Sequence, residues 1–206
     1  MRPLFPQQEE AMFYVITIDQ IIHWTQLLYL LIAAVWLGSL PFVKRNVQEQ
    51  SIWSAIQQTI VFATGLYLLF GSPSTLGWFN QPVFTVTFHI ALAGLGLAIC
   101  GAGLSIWARL ILGENWSNFP SLKQNHALIM TGPYRLVRHP IYTGLLIALL
   151  GSALQYGLIR SFLAVLTCAL GLWLKVSVEE QFMVQRFGDA YLRYRRDVSA
   201  LVPFLF

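Results

Sequence analysis

Two short stretches of the chain carry side chains that could do chemistry, and each borders a long apolar run. The first stretch is RHPIY, in which Arg138, His139 and Tyr142 stand at the start of an apolar segment. The second is the adjacent pair Glu179 and Glu180, which follows another apolar segment. Charged groups at such positions are rare, and they are usually paired or functional. Together these residues predict a polar site at a membrane surface.

Each of these residues also has a purely structural interpretation. A proline follows His139 and suits the first turn of a helix. His139 then lies near the N-cap, where it either caps its own helix or borders an anion site of free N–H groups. Tyr142 has the depth of an aromatic-belt residue. Glu179 either pairs with Lys175 or Arg138, or accepts hydrogen bonds from a ligand such as a ribose. The residues alone are compatible with both interpretations.

The composition indicates the elements that must position these residues. Of the 206 residues, 56% are apolar and only 11% are charged, whereas about a quarter are charged in soluble domains. Five apolar runs approach or exceed the ~20 residues that a helix needs to cross a bilayer. They cover residues 21–43, 52–70, 83–108, 141–159 and 161–178. We therefore predict an all-α integral membrane bundle of about five transmembrane helices.

The fourth and fifth runs are joined only by a tight turn near Arg160, which predicts a C-terminal helical hairpin. This hairpin brings residues 139–142 close to residues 175–180. Five spans also place eleven of the thirteen basic residues on one side and leave only Arg2 and Arg160 on the other. The positive-inside rule then predicts a cytoplasmic site and an outside N-terminus. The net charge of +4 thus orients the chain, and we expect no nucleic-acid partner.

Other motifs add little chemistry. The third run contains GLGLAICGAG, with Gly94 and Gly101, and Gly96 and Gly103, each seven residues apart. No strand precedes it, so a dinucleotide-binding reading fails; close helix packing is the main interpretation, and an open cofactor groove is the alternative. The four histidines lack zinc-ligand spacing, so we expect no metal. The chain contains no internal repeat or linker, which predicts one domain over residues 1–206.

The region around Arg138 resembles a known family. HALIMTGPYRLVRHPIYTG, residues 126–144, is similar to the core signature of the isoprenylcysteine carboxyl methyltransferases, H-x-L-V/I, G-x-Y and R-H-P-x-Y-x-G. Residues 179–204 match its glutamate pair, F-G-x-x-Y-x-x-Y and L-x-P-F, and Arg109 begins a match to R-x-x-LG-x-x-W. The resemblance covers residues 109–206, the family-like catalytic region, and leaves residues 1–108 as variable N-terminal helices.

The resemblance implies an integral membrane enzyme that uses S-adenosylmethionine in a cytoplasmic pocket. A lipophilic or lipidated substrate would reach it from the bilayer between helices. By motif position, Lys175 would bind substrate. We expect Arg138, which could orient or neutralise an acid group, and Glu180, which could act as a base, to be catalytic. The residues that would bind the cofactor are His126, Ala127, Leu128, Ile129, Tyr134, His139, Pro140, Ile141, Tyr142 and Glu179.

The methyl acceptor decides which groups are needed. A free carboxylate, with a pKa of roughly 3.5, is already anionic and needs no general base. A lipid amine is protonated near neutral pH and needs a base, for which Glu180 or His139 could serve. Lys175 replaces a family arginine, and lysine lacks the bidentate fork that suits a carboxylate. The resemblance favours carboxyl O-methylation of an isoprenylcysteine-like substrate.

Three alternatives remain. Phosphatidylethanolamine N-methyltransferases share a Gly-x-Gly and a glutamate pair, here Gly94 and Gly96 with the pair at residues 179–180, which points to N-methylation of a lipid amine headgroup. Membrane sterol reductases have a similar hairpin and use NADPH, whose extra phosphate Arg135 and Arg138 could bind. The last alternative is a non-catalytic membrane protein.

Overall fold

The computed structural model describes residues 16–72, 76–116, 120–123 and 127–203. Each apolar run forms a helix: α1 (Ile18–Ser39), α2 (Ile52–Phe70), α3 (Phe88–Leu112), α4 (Pro140–Tyr156) and α5 (Ile159–Phe187). A short amphipathic helix, α6 (Asp189–Asp197), follows α5. The prediction of an all-helical membrane bundle is confirmed.

The helices differ in how well their lengths match a bilayer. Within the described residues, α1, α2, α3 and α5 are long and apolar enough to span a membrane. The fourth predicted span, α4, has 17 residues, or about 25 Å at 1.5 Å per residue, which is slightly short of the ~30 Å hydrocarbon core. The chain is a multi-pass membrane protein.

The helices pack in the spatial order α1, α3, α4, α5, α2. The rings of Tyr29 in α1 and Phe70 in α2 meet edge to face, with centroids 5.5 Å apart, and so join the two outer helices. The closest pairing is that of α3 with α4. A Cβ atom added at Gly101 would lie 2.4 Å from the carbonyl oxygen of Gly144, and one at Gly94 would lie 2.5 Å from that of Gly151. These glycines allow the two backbones to touch.

The second predicted glycine pair does not share this role. Added Cβ atoms at Gly96 and Gly103 would meet no atom within 4 Å. The packing interpretation is therefore confirmed for Gly94 and Gly101 and wrong for the other pair. Gly96 and Gly103 follow Gly94 and Gly101 by two positions each. Two positions correspond to a rotation of about 200° around the helix axis, so the second pair points to a different face.

The predicted α4–α5 hairpin is confirmed. Gly157 adopts a φ of 64°, a left-handed conformation that ends α4 and that glycine adopts without steric cost. The next helix begins two residues later, at Ile159. Ser161 stabilises the turn because its Oγ accepts a hydrogen bond from the N–H of Leu158 at 3.3 Å.

Two features differ from the sequence prediction at the other end of the hairpin. Helix α5 continues to Phe187, so Glu179 and Glu180 lie about two turns before its end and not at its end, as the apolar run ending at residue 178 predicted. A short antiparallel ribbon, which the sequence did not predict, joins β1 (Asn46–Glu49) to β2 (Ser121–Lys123) beside this end of the bundle.

Candidate active site

The N-terminus of α4 positions the first group of site residues. Pro140 is the first helical residue, and His139 occupies the N-cap position as predicted. The His139 side chain does not cap the helix. Its ring instead stacks on that of Tyr142, with centroids 5.7 Å apart and planes 5° from parallel. One turn of helix thus aligns an imidazole and a phenol on the same wall.

The two glutamates of α5 face this wall in different directions. Successive residues of a helix point about 100° apart, so neighbouring carboxylates reach different partners. Glu179 accepts a hydrogen bond from the Tyr142 hydroxyl at 2.5 Å, and its other oxygen lies 3.4 Å from His139 Nδ1. Glu180 Oε1 accepts a hydrogen bond from Arg138 Nε at 2.7 Å and forms an ion pair with Nη2 of the same guanidinium at 2.7 Å. The salt bridge of Arg138 across the hairpin therefore involves Glu180 and not Glu179.

His139 connects the two carboxylates. Its Nε2 lies 3.4 Å from Glu180, opposite the contact of Nδ1 with Glu179. Burial lowers the pKa of His139, but the hydrogen bonds and the negative charges of Glu179 and Glu180 outweigh burial and hold this pKa above its usual value. Both ring nitrogens of an imidazolium are donors. The geometry therefore favours the protonated form.

Arg138 holds a second element against the site, the segment 195–201, which we call the C-terminal strap. Its Nη1 donates to the carbonyl oxygens of Arg195, at 3.0 Å, and of Val198. Its backbone N–H donates to the carbonyl oxygen of Ser199 at 2.8 Å. The neighbouring N–H of His139 donates to that of Ala200 at 3.0 Å. Side chain and backbone together fix the strap beside the start of α4.

Helix α6 supplies a further wall. Tyr191 and Tyr194 are both buried, and the Tyr194 hydroxyl donates to the carbonyl oxygen of Tyr134 at 2.6 Å. Burial raises the pKa of Tyr194 to about 12, so this phenol remains a donor at neutral pH. The Tyr134 hydroxyl donates in turn to the carbonyl oxygen of Ala108 in α3, at 3.3 Å.

A cavity lies between these elements and collects most of the predicted cofactor residues. Those that line it are Ala127, Leu128, Ile129, Tyr134, His139, Ile141, Tyr142 and Glu179, together with the predicted catalytic residue Arg138. Pro140 is buried as the first residue of α4. His126 lies outside the described residues.

The remaining two predicted residues lie just outside the cavity lining. Glu180 sits behind Arg138 and borders a different groove. Lys175 lies on the membrane side, with Nζ 5.3 Å from the centre of the Tyr142 ring, within the range of a cation–π contact.

Several lining residues were not assigned to the site from the sequence. Asn115 and Trp116 line the cavity, and Asn115 Oδ1 accepts a hydrogen bond from the N–H of Ala127 at 3.3 Å. The guanidinium of Arg109 lies 4.5 Å from the Trp116 ring centre and donates to Ser39 Oγ at 2.6 Å. The R-x-x-LG-x-x-W match, which includes Arg109 and Trp116, is the sequence pattern that could have predicted this wall of the cavity. For Tyr191 and Tyr194, the signal was their spacing of three residues, which places both on one helix face.

Comparisons with known proteins find relatives of this chain among methyltransferases. Residues 89–190 match the family model described as phospholipid methyltransferase. Protein-S-isoprenylcysteine O-methyltransferase of Schizosaccharomyces pombe is 32% identical over 133 residues, which are 60% of this chain and 55% of that protein. Enzyme A of that name from Arabidopsis thaliana is 30% identical over 118 residues, 54% of this chain and 58% of that protein.

A different acceptor appears among the relatives. Methanethiol S-methyltransferase 1 of Bradyrhizobium diazoefficiens is 27% identical over 153 residues, 66% of this chain and 53% of that protein. The chain therefore spans between half and three-fifths of the length of these three curated relatives.

The fold is also shared with a solved structure. The eukaryotic intramembrane Ras methyltransferase, an isoprenylcysteine carboxyl methyltransferase, superposes with a TM-score of 0.61 at 20% identity, over 93% of this chain and 69% of that one. The R-H-P-x-Y and glutamate motifs, the match to the family model and the shared fold all point to the same group of relatives. The chain is therefore similar in sequence to the isoprenylcysteine carboxyl methyltransferases and shares the membrane fold of the solved one.

Proposed function

We propose that the protein transfers a methyl group from S-adenosylmethionine to a membrane-embedded acceptor, and that this acceptor is the carboxylate of an isoprenylcysteine-like compound. The observation that carries the proposal is the wall formed by His139, Tyr142 and Glu179, which faces the segment 127–129 across one cavity. When bound, S-adenosylmethionine supplies an electrophilic methyl group on a sulfonium.

The residues of the cavity fit this cofactor. Glu179 is only 18% exposed, and hydrogen bonding to Tyr142 fixes its orientation. A held carboxylate can accept hydrogen bonds from ribose hydroxyls or from an ammonium group. The aliphatic side chains of Leu128, Ile129 and Ile141 line the same cavity and suit a flat, largely apolar purine.

The proposed acceptor needs orientation more than it needs a base, because a carboxylate is already anionic. Lys175, on the membrane side of Tyr142, would attract that carboxylate as a single positive charge. Positioning the acceptor and excluding water are worth up to ~7–11 kcal/mol in favourable cases. The buried wall of His139 and Tyr142 would contribute to both.

For Arg138 and Glu180 we propose a positioning role in place of direct chemistry. The donors of Arg138 are already used by the Glu180 carboxylate and by the strap carbonyl groups of Arg195 and Val198. Glu180 also approaches His139 Nε2 at 3.4 Å. The pair would hold the imidazole and the strap in place while the cofactor and the acceptor meet other residues.

We further propose that the cavity opens on the cytoplasmic side and that the N-terminus lies outside. Most basic residues follow or precede the helix ends beside the cavity, whereas Arg160 lies at the opposite end of the hairpin. This asymmetry is the one that the positive-inside rule describes. The lipophilic acceptor would arrive from the bilayer, and the soluble cofactor from the cytosol.

Calorimetric titration of S-adenosylhomocysteine into detergent-purified protein tests the cofactor assignment. We expect saturable binding that Glu179→Gln weakens at least about tenfold, because hydrogen bonds to charged groups contribute roughly 1.5–3 kcal/mol. The matched control is Asp19→Asn, which makes the same change on an exposed carboxylate at the far end of α1. No binding to monodisperse protein, or equal losses in both variants, would sink the proposal, and NADPH would be the next ligand to titrate.

The acceptor is tested with radiolabelled methyl donor and three compounds: a farnesylcysteine analogue, phosphatidylethanolamine and methanethiol. We expect methylation of the farnesylcysteine analogue, with a KM that Lys175→Ala raises. Transfer to phosphatidylethanolamine would instead support the second candidate function, N-methylation of a lipid amine, which the description of the matching family model favours. Transfer to methanethiol alone would align the chain with its bacterial thiol-methylating relative.

A further inference from the structure

A second concave surface lies on the other side of the Arg138–Glu180 pair, between α5 and the C-terminal strap. On α5 it is lined by one face of the helix, from Trp173 through Val176 and Gln181 to Gln185. These residues cover twelve helical steps, or about 18 Å. The apolar run of α5 ends at residue 178. The groove therefore begins within the hydrocarbon region and continues past the membrane surface.

The character of the groove changes along this length. At the end nearer the membrane centre, Trp173 is 53% exposed and adjoins Val176. At the other end, the exposed amide of Gln185 adjoins Arg195 and Arg196 of the following helix. An apolar floor that ends in polar and cationic groups matches a molecule with a hydrocarbon tail and an anionic head.

The charges at the polar end leave a net positive site. Three arginines and two carboxylates line the groove: Arg138, Arg195 and Arg196, with Glu180 and Asp197. Glu180 is neutralised by Arg138 at 2.7 Å and approached by Arg195 Nε at 3.5 Å. In the part of the chain that the structure describes, no carboxylate lies within ion-pair distance of Arg196.

The same two arginines continue onto the neighbouring surface. Arg195 and Arg196 also border a shallow depression on the outer face of α6, together with Arg193, Leu192 and one carboxylate, Asp189. The opposite face of α6 is fixed by buried Tyr191 and Tyr194. The helix therefore presents its arginines from a rigid support, at the level where α5 ends.

We propose that this groove binds one anionic phospholipid of the surrounding leaflet. An acyl chain would lie along Trp173 and Val176, and the phosphate would meet Arg196, since arginine suits phosphate recognition. The lipid would be a bound component and not the methyl acceptor, because the groove is separated from the cofactor cavity by Arg138 and Glu180. This site is independent of the proposed methyl transfer.

The test is calorimetric titration of dioctanoyl phosphatidylglycerol into the delipidated full chain in a neutral detergent. Dioctanoyl phosphatidylcholine and glycerol phosphate form the two comparison arms. We expect phosphatidylglycerol to bind the most tightly, and Arg196→Gln to raise its Kd about fivefold, as expected for one arginine facing an anionic lipid. Trp173→Ala should also raise it, through the acyl chain.

Arg186→Gln is the matched control, because Arg186 is exposed in the last turn of α5 and does not line the groove. Equal losses in Arg186→Gln and Arg196→Gln would overturn the site in favour of diffuse surface charge. Equal binding of glycerol phosphate would overturn the lipid assignment, and so would equal binding of phosphatidylcholine. S-adenosylhomocysteine binding should be unchanged in Arg196→Gln, which keeps this result separate from the cofactor assignment.

Discussion

The two ends of the α4–α5 hairpin both bury polar side chains, and they use them for different purposes. At the end away from the cavity, Gln155 donates to Thr25 Oγ1 at 2.8 Å, and Ser152 shares a hydrogen bond with Tyr29 at 2.8 Å. Arg160 donates to carbonyl groups at the end of α2, with two distances of 2.9 Å. These side chains pair with polar groups of neighbouring helices, although Arg160 Nε has no hydrogen-bond partner among the described residues.

The cavity end uses carboxylates. Glu180 pairs with Arg138, Glu179 is held by Tyr142, and His139 contacts both acids. One of these carboxylates lines an open cavity. The comparison teaches that a buried polar group in a membrane bundle is not by itself a sign of function. A fixed carboxylate that borders a cavity is a better sign, because its remaining acceptor capacity is available to a ligand.

The largest expected effect is a difference in the free energy of unfolding between variants of the two buried arginines, Arg138 and Arg160. Arg138→Leu should lower the free energy of unfolding by about 3–5 kcal/mol, because it leaves the Glu180 carboxylate buried without its main partner. Arg160→Leu should cost about 1–3 kcal/mol, because it removes donors from carbonyl groups. Denaturant unfolding in mixed micelles measures both. The double variant Arg138→Leu/Glu180→Leu should recover part of the loss; equal costs for the two arginines would contradict the distinction.

A smaller effect distinguishes the two ends of the hairpin, because a variant at one end should weaken cofactor binding and a variant at the other should lower only the stability. Tyr142→Phe removes the donor that fixes Glu179, and we expect it to raise the Kd for S-adenosylhomocysteine about fivefold to tenfold, which corresponds to a typical net hydrogen-bond contribution of about 1 kcal/mol. Gln155→Leu should lower the free energy of unfolding by about 1 kcal/mol and leave that Kd unchanged. Calorimetry and unfolding on both variants provide the check. A weakened Kd in Gln155→Leu would show that the two ends are coupled.

The smallest expected effect is a pH dependence of the free energy of unfolding, which arises only from the cavity end of the hairpin. The pKa of His139 is raised in the folded protein, so its contacts with Glu179 and Glu180 stabilise the fold fully below its unfolded pKa of about 6.5. That contribution is lost as the pH rises through the raised pKa. Unfolding measured from pH 6 upward should show a decline that His139→Gln abolishes and Gln155→Leu retains. The same slope in His139→Gln would assign the decline to other groups.

Much of the fold could be predicted because hydropathy and length report directly on membrane segments. The bounds of α2 agree with its apolar run, residues 52–70. The end of α5 does not agree with the end of its apolar run at residue 178. Hydropathy marks where a helix leaves the membrane, and α5 continues as a polar helix to Phe187. The β1–β2 ribbon pairs segments about 75 residues apart in sequence and has no local pattern, so nothing in either segment predicts it.

The site could be predicted only as a set of neighbours. The hairpin turn and the two motifs brought His139, Tyr142 and the glutamates together correctly. Which glutamate meets Arg138 depends on helix phase, and one residue changes the direction by about 100°. The strap was missed for a different reason: its contacts with Arg138 and His139 use backbone carbonyl groups, which every residue carries and no sequence pattern distinguishes.

The strap has a consequence for how the protein is made. Residues 195–201 leave the ribosome after all five apolar helices, yet they accept the hydrogen bonds that fix Arg138 and the start of α4. The bundle can therefore be inserted by the translocon before the walls of its cavity are complete. A nascent chain stopped before Arg195 would be an inserted protein with an unfinished cavity, and its defect would lie at the membrane surface and not within the bilayer.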